Sequence, residues 1–406
     1  MLSSLSRRRF LQSSALLALS PLVPAFLPRL ASAAQEGAAD GRILVVVQLD
    51  GGNDGLNTVV PYADDAYARH RPTLRLRPQE LIKLDDRVGL PRSMQAAARL
   101  VEDGRLAIVQ GVGYPNPNRS HFHSMAIWHT ADPKLQEADR STLGWLGRAF
   151  DRLDRPSDGT DAVYVGTDDL PRALVGRRAA ALSMSAADDL ALRLGAEDRA
   201  ARADAAAGAA GNDLLAFVRR RMLEAYGTAD QLTDSARGTA ADVVYPQTPL
   251  ANRLRLIARI IRSGAGARVY YASHGSFDTH SDQLARHSAL LYEFSGAVKA
   301  FLDDLKAARL SDRVLLLAFS EFGRRVAENG SGTDHGTAGP VFLAGDAVRA
   351  GPASLPPDLA NLDNGDLKPT SDFRQVYASV LEDWLQLPSE PVLGGTFKPV
   401  PVLRGA

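Results

Sequence analysis

Arg42-Ile43-Leu44-Val45-Val46-Val47-Gln48-Leu49 runs without a break into Asp50-Gly51-Gly52-Asn53-Asp54-Gly55, and this junction decides the fold. A continuous β-branched run suits a strand buried on both faces, as in a parallel sheet, because a strand with one wet face would alternate. Three glycines just beyond it allow a sharp turn and close backbone approach. The same grammar recurs along the chain. Leu106–Gln110 ends in Gly111-Val112-Gly113, Arg268–Ala272 and Arg313–Phe319 are apolar runs, and Pro340–Ala344 follows a Gly-rich loop at 323–339. Ala162–Gly166 and Ala181–Ser185 are shorter strand candidates. Helical patterns separate them at Arg92–Glu102, 119–130, Pro249–Arg262, about Asp282–Ala308 and Ser371–Leu385, the last with Ser371 as cap. Strands alternating with helices predict a three-layer α/β/α sandwich with a mainly parallel sheet.

One stretch breaks the pattern. Residues 186–245 are rich in Ala, Asp and Arg, with a loose segment at 205–211 and a helical pattern at 213–226, and read as a helical insertion or cap. The 406 residues otherwise suit one large α/β domain over 34–406. There are no internal repeats.

Composition excludes several function classes. Hydrophobic residues make up 45% and charged residues 23%, as in ordinary soluble proteins. Lys+Arg and Asp+Glu both total 47, so the long-range attraction that a nucleic-acid binder uses is absent. The chain has no cysteine. Disulfides, thiolate metal sites, iron–sulfur clusters, Cys nucleophiles and a cysteine-derived formylglycine are all ruled out.

Residues 1–33 form a separate unit. They hold four Arg and no acid, among them Ser6-Arg7-Arg8-Arg9-Phe10-Leu11, then a mildly apolar run from Ala15 to Leu27, then Ala31-Ser32-Ala33. That is the layout of a signal peptide cleaved after about Ala33, and the Arg pair followed by Phe-Leu resembles a twin-arginine signal. Pro21 and Pro24 interrupt a run too short to span a bilayer, so stable membrane insertion is not expected. The expected partner at this stage is the twin-arginine translocase, and the expected location is the periplasm or outside the cell. Cleavage leaves 43 basic against 47 acidic groups, a net charge of −4.

In a parallel α/β fold, ligands bind beyond the carboxyl ends of the strands. Asp50 follows the first apolar strand. Asn118, Arg119, Ser120, His121 and His123 follow the second, and His274 to His280, including Asp278, follow the strand at 268–272. Ser320, Glu321, Phe322 and Arg324 follow the strand at 313–319, and Asp334-His335 precede the next. Each piece has a plain alternative: a turn for Asp50, an Asx-turn for Asp278, an exposed loop for His335, a helix cap for Ser120. Glu321 directly after an apolar strand is harder to explain without a partner, metal or water. Together they form an oxygen and imidazole donor set suited to Zn, Mn, Ca, Mg or Fe.

These residues carry a family resemblance. L-D-G-G-N-D-G-L-N at 49–57, S-H-F at 120–122, F-D-T-H at 277–280, S-E-F-G-R at 320–324 and D-H-G at 334–336, with the twin-arginine signal, resemble the bacterial domain of unknown function 1501 over essentially the whole mature chain. That family in turn resembles the alkaline phosphatase and sulfatase superfamily. The resemblance implies two metal positions bridged by a hydroxyl nucleophile. Carried over residue by residue, Asp50, Asp278, His280, Glu321 and His335 are the implied metal ligands and Ser120 the implied nucleophile. Phe322 stands where the superfamily pattern has a ligating His, which leaves one site short. Asp334, His121 and His123 are the alternatives for it. Arg119, Arg324 and Asn118 are candidates to clamp the non-reacting oxygens of an anionic ester substrate. Two functions follow as expectations: an exported metal-dependent hydrolase or transferase acting on phosphate or sulfate esters, or a non-catalytic, metal-stabilised binding or assembly protein.

Overall fold

The computed structural model describes residues 41–153, 161–185, 243–264 and 267–404. The signal expected at 1–33, the helix expected at 213–226 and nearly all of the 186–245 segment lie outside the described residues. The strands are β1 (Ile43–Leu49), β2 (Leu81–Lys83), β3 (Gly89–Pro91), β4 (Leu106–Gly113), β5 (Ala162–Val165), β6 (Ala181–Met184), β7 (Val269–His274), β8 (Val314–Phe319), β9 (Gly339–Ala344), β10 (Gly351–Pro352) and β11 (Ser371–Asp372). The helices are α1 (Gly55–Thr58), α2 (Asp65–His70), α3 (Gln95–Glu102), α4 (His121–Thr130), α5 (Trp145–Phe150), α6 (Pro249–Arg262), α7 (Gln283–Ala307), α8 (Phe373–Ala378) and α9 (Glu390–Leu393).

Nine strands form one sheet in the order β10-β4-β9-β8-β1-β7-β5-β6, with β11 also on β4, and β2 and β3 make a separate hairpin. β1 sits at the centre, parallel to β7 and β8, so that Val45 lies between Tyr270 and Leu316. β9 runs against its neighbours β4 and β8. Every residue of β1 is buried, as its unbroken apolar run requires. Alternate side chains feed opposite layers. Val45, Val47 and Leu49 pack with α3, α6 and α7, whereas Leu44 and Val46 pack with α4, α5 and α8. Each such side chain removed from water contributes roughly 1.5–3 kcal/mol. The result is an α/β/α sandwich.

Local signals account for most helix ends. Thr248 caps α6 by accepting from the Ala251 N–H, and Pro249 occupies the first turn, where no backbone donor is needed. Two expected boundaries move. Ser371 does not cap the last helix; it pairs with β4, and Asp372 is the cap, accepting from the Arg374 N–H at 2.9 Å. That helix is α-helical only to Ala378 and then widens into a π turn over Ser379–Trp384. β7 extends two residues beyond Ala272, because Ser273 and His274 keep pairing with β1. His274 is therefore buried under α7, donating to the Leu290 carbonyl at 3.1 Å, and is not a loop residue.

Candidate metal centre

β1, β4, β7 and β8 all end at one edge of the sheet and β9 starts there, so the loops singled out in the sequence emerge together. The loop after β1 builds the base. Gly51 has φ 116° and Gly52 φ 76°, and a Cβ on either would come within 2.4 Å of its neighbour, Asp278 N for Gly51 and the Phe322 ring for Gly52. Only glycine fits both conditions. This turn aims two N–H groups at one buried carboxylate: Gly51 donates to Glu321 Oε1 at 2.9 Å and Gly52 to Oε2 at 3.2 Å. Ser320 Oγ lies 2.9 Å from Oε2. Glu321 thus has the partners that its place after an apolar strand demanded.

The same carboxylate holds α4 in place. His121 Nδ1 donates to Glu321 Oε1 at 2.7 Å, and Ser124, one turn on, donates to the Glu321 carbonyl at 2.6 Å. With Nδ1 occupied, His121 turns Nε2 inward. His335 is oriented in the same way, its Nδ1 donating to the Arg119 carbonyl at 2.8 Å. Both rings rest on the buried Phe322 ring, with centroids 4.9 Å away.

The imidazoles converge on Asp278. Its Oδ1 lies 2.9 Å from His280 Nε2, 3.1 Å from His335 Nε2 and 3.5 Å from His121 Nε2. His280 and His335 meet at 3.0 Å between their Nε2 atoms. Donor atoms of His121, Asp278 and His335 all lie within 4.8 Å of one another. The side chains of this cluster are 23–47% exposed, so the centre opens to solvent on one side. Burial alone would raise the Asp278 carboxyl, but the Arg324 and His335 hydrogen bonds bring it down to about 2. The Glu321 hydrogen bond holds His121 above its ordinary value, against the effect of burial.

These residues fit a divalent cation. His121 Nε2 is buried without a hydrogen-bond partner, and such an atom is expected only where something else satisfies it. Three imidazole nitrogens with one carboxylate suit Zn, Mn or Fe better than Ca or Mg, which prefer oxygen throughout. Arg324, whose Nη2 is 2.6 Å from Asp278 Oδ1, adds a positive charge beside the cluster and opposes cation binding.

The other expected site residues are placed differently. Asp50 is not one of the residues that meet at Asp278: Gln48 donates to its Oδ1 at 2.5 Å, and burial, then the charge of Glu321, push its carboxyl up to about 7. Glu321 supports His121, and both its oxygens are already engaged. Arg324 is 2% exposed, and it donates to the carbonyls of Gly51, Gly52, Phe277 and Thr333, so it fastens loops together. Arg119 is partly exposed, with its guanidinium on the buried Asp366. Ser120 is exposed at the N-cap of α4, and its hydroxyl makes no capping bond. His123 turns away to the Leu135 carbonyl. Asp334 sits at the rim, 3.5 Å from His280 Nδ1. His121, one of three alternatives in the sequence, is the residue that joins Asp278 and His335. Its signal was its position immediately after the N-cap, which turns a side chain back over the strand edge.

The fold and this cluster define an α/β-sandwich protein with a candidate cation centre at the carboxyl edge of its sheet. The chain belongs to the family described as Protein of unknown function (DUF1501), whose model matches residues 42–354. No curated protein matches it. Among solved structures it is similar to the lipoteichoic acid synthase LtaP from Listeria monocytogenes, at 12% identity over 76% of this chain and 66% of that one, with a TM-score of 0.34. It is also similar to the PsFucS1 sulfatase from Pseudoalteromonas sp., at 12% identity over 94% of this chain and 78% of that one (TM-score 0.38). The phosphonate monoester hydrolase of Agrobacterium radiobacter aligns at 10% identity over 86% of this chain and 77% of that one (TM-score 0.34). The chain thus spans just under two thirds of the Listeria protein. At such TM-scores the likeness carries nothing about the chemistry of this chain.

Proposed function

We propose that the chain is an exported, metal-dependent hydrolase or transferase acting on phosphate or sulfate esters at the His121–Asp278–His335 cluster, with His280 beside it. The observation that carries this reading is His121 Nε2, buried and without a hydrogen bond, directed with two other imidazoles and a carboxylate at one solvent-open point. A divalent cation held there lowers the pKa of a bound hydroxyl and offsets charge on ester oxygens. The chain's own residues do the rest. Glu321 and the Arg119 carbonyl fix the two rings, and Phe322 excludes water beneath them. Ser120, exposed next to His121, is the proposed nucleophile. The twin-arginine pattern supports export through that translocase, and no described helix is long and apolar enough to cross a membrane.

A non-catalytic, metal-stabilised role is the second reading, favoured by one feature: the buried Arg324 spends its donors on backbone carbonyls, so no anion clamp comes from that side. Titration of the mature protein with Zn, Mn, Fe, Ca and Mg, followed by a phosphate- and sulfate-ester panel, decides between them. The hydrolase reading expects transition-metal binding lost in His335→Ala, and turnover reduced by orders of magnitude in Ser120→Ala with an unchanged melting temperature. Metal binding without turnover of any ester leaves the second reading. Binding of no metal sinks both.

A further inference from the structure

A cavity of about 600 Å³ adjoins the cluster, between the loop that follows β4 and the loop around Asp363–Pro369. Arg119 links the two places: it lines the cavity, while its carbonyl accepts from His335 Nδ1. Its guanidinium lies on Asp366, which is 1% exposed, and so ties the two loops across the cavity. The walls are therefore set before any ligand arrives, which lowers the ordering cost of binding. The volume falls in the range of small-molecule sites.

We propose that this cavity binds a hydroxyl-rich, carbohydrate-type group, which is the non-reacting part of the ester substrate and in that respect rests on the function proposed above. The lining is the reason. Asn116 and Asn364 present side-chain amides on the cavity walls, the donor and acceptor chemistry that neighbouring hydroxyls match; Asn364 spends its Nδ2 on Asp363 at 3.2 Å, and the Asn118 amide is taken up by the Ser120 N–H and His123. Pro117 and Pro369 provide flat apolar faces for the C–H side of a ring. Arg119 and Lys368 are balanced by Asp363 on the wall and Asp366 behind it, so the cavity does not select a ligand for its net charge. Asn116 (φ 54°) and Asn364 (φ 51°) both adopt the left-handed conformation, which Asn tolerates better than most residues, and Asn364-Gly365 forms the turn between the paired Asp363 and Asp366. The Asn116 amide makes no hydrogen bond among the described residues and is exposed.

The test measures binding without turnover. The mature protein, with no added metal, is applied to an array of unesterified oligosaccharides of hexoses, N-acetylhexosamines and uronic acids, and hits are quantified by saturation-transfer NMR. At least one class is expected to bind. Asn116→Gly and Asn364→Gly, which keep the backbone conformation and remove the amide, should weaken that binding at least tenfold. Absence of binding across the array overturns the proposal, as does binding indifferent to both glycine variants. A failed hydrolase reading shows separately, as intact oligosaccharide binding with no ester turnover.

Discussion

Glu321 is the residue on which the centre turns. It receives Gly51 N, Gly52 N and His121 Nδ1, and so joins the turn after β1, the end of β8 and the start of α4. Its replacement by Gln keeps the volume but presents an NH₂ to donors that now meet a carboxylate oxygen. Metal affinity should fall by roughly 10–100-fold, the usual cost of losing the group behind a ligating His. Calorimetric titration with Zn checks this, and unchanged affinity in a folded Glu321→Gln would show that His121 needs no such support. Gly52→Ala makes a sharper demand. Its methyl would lie 2.4 Å from the Phe322 ring at a φ of 76°, so strain and overpacking add. A loss of about 2–4 kcal/mol in urea unfolding is expected.

At the scale of elements, the loop after β1 is held by an ion pair that no local pattern singles out. Asp54 and Arg71, both fully buried, meet at 2.7 Å, and Arg71 also donates to the Val326 and Arg325 carbonyls. Burial alone would raise the Asp54 carboxyl, but the charge and hydrogen bonds of Arg71 hold it below the usual carboxylate range. Asp54→Ala strands the Arg71 charge in the interior and should cost about 3–5 kcal/mol. Denaturant midpoints measure it, and a loss under about 1 kcal/mol would mean that water reaches the guanidinium. Part of this scale was legible in advance. β1, α6 and β8 announce themselves because burial on both faces, or on one helical stripe, leaves a local pattern. The shift of the last cap from Ser371 to Asp372 was not legible. The pairing of Ser371 with β4 is a contact 259 residues away in sequence, between Ser371 and Val112, and local propensity carries no trace of it.

For the whole molecule, acid sensitivity follows from buried histidines. Burial pushes His129 down to about 3 and His287 down to about 4, so both are neutral in the folded protein near pH 5. The unfolded chain takes up these protons below about 6.5. Its extra protons in that window mean that stability rises with pH, is complete above about 6.5, and is lost as pH falls toward the folded values. Asp50, pushed up to about 7, acts in the opposite sense, contributing stability at low pH that is lost as pH rises through 7. The His129 contribution is therefore read by difference. His129→Gln should lose its stability deficit relative to the parent protein as pH falls from 7.5 to 5, by up to roughly 1.4 kcal/mol per unit below 6.5. Parallel melting curves at the two pH values that kept a constant gap would reject the assignment.

The sandwich, its parallel centre and the edge where chemistry collects were readable in the sequence. Burial imposes a period on each strand, and parallel strands deliver their loops to one edge. The identities of Asp278, His280 and His335 were readable too, since polar residues at strand ends stand out against apolar runs. Their division of labour was not. Whether Glu321 ligates or supports, whether Arg324 clamps an ester or fastens loops, and that His121 completes the cluster all depend on distances of a few ångströms between residues 44 to 272 positions apart. Only the packed chain sets those distances: two glycines let the first loop close over Glu321, and the site takes its shape from that closure.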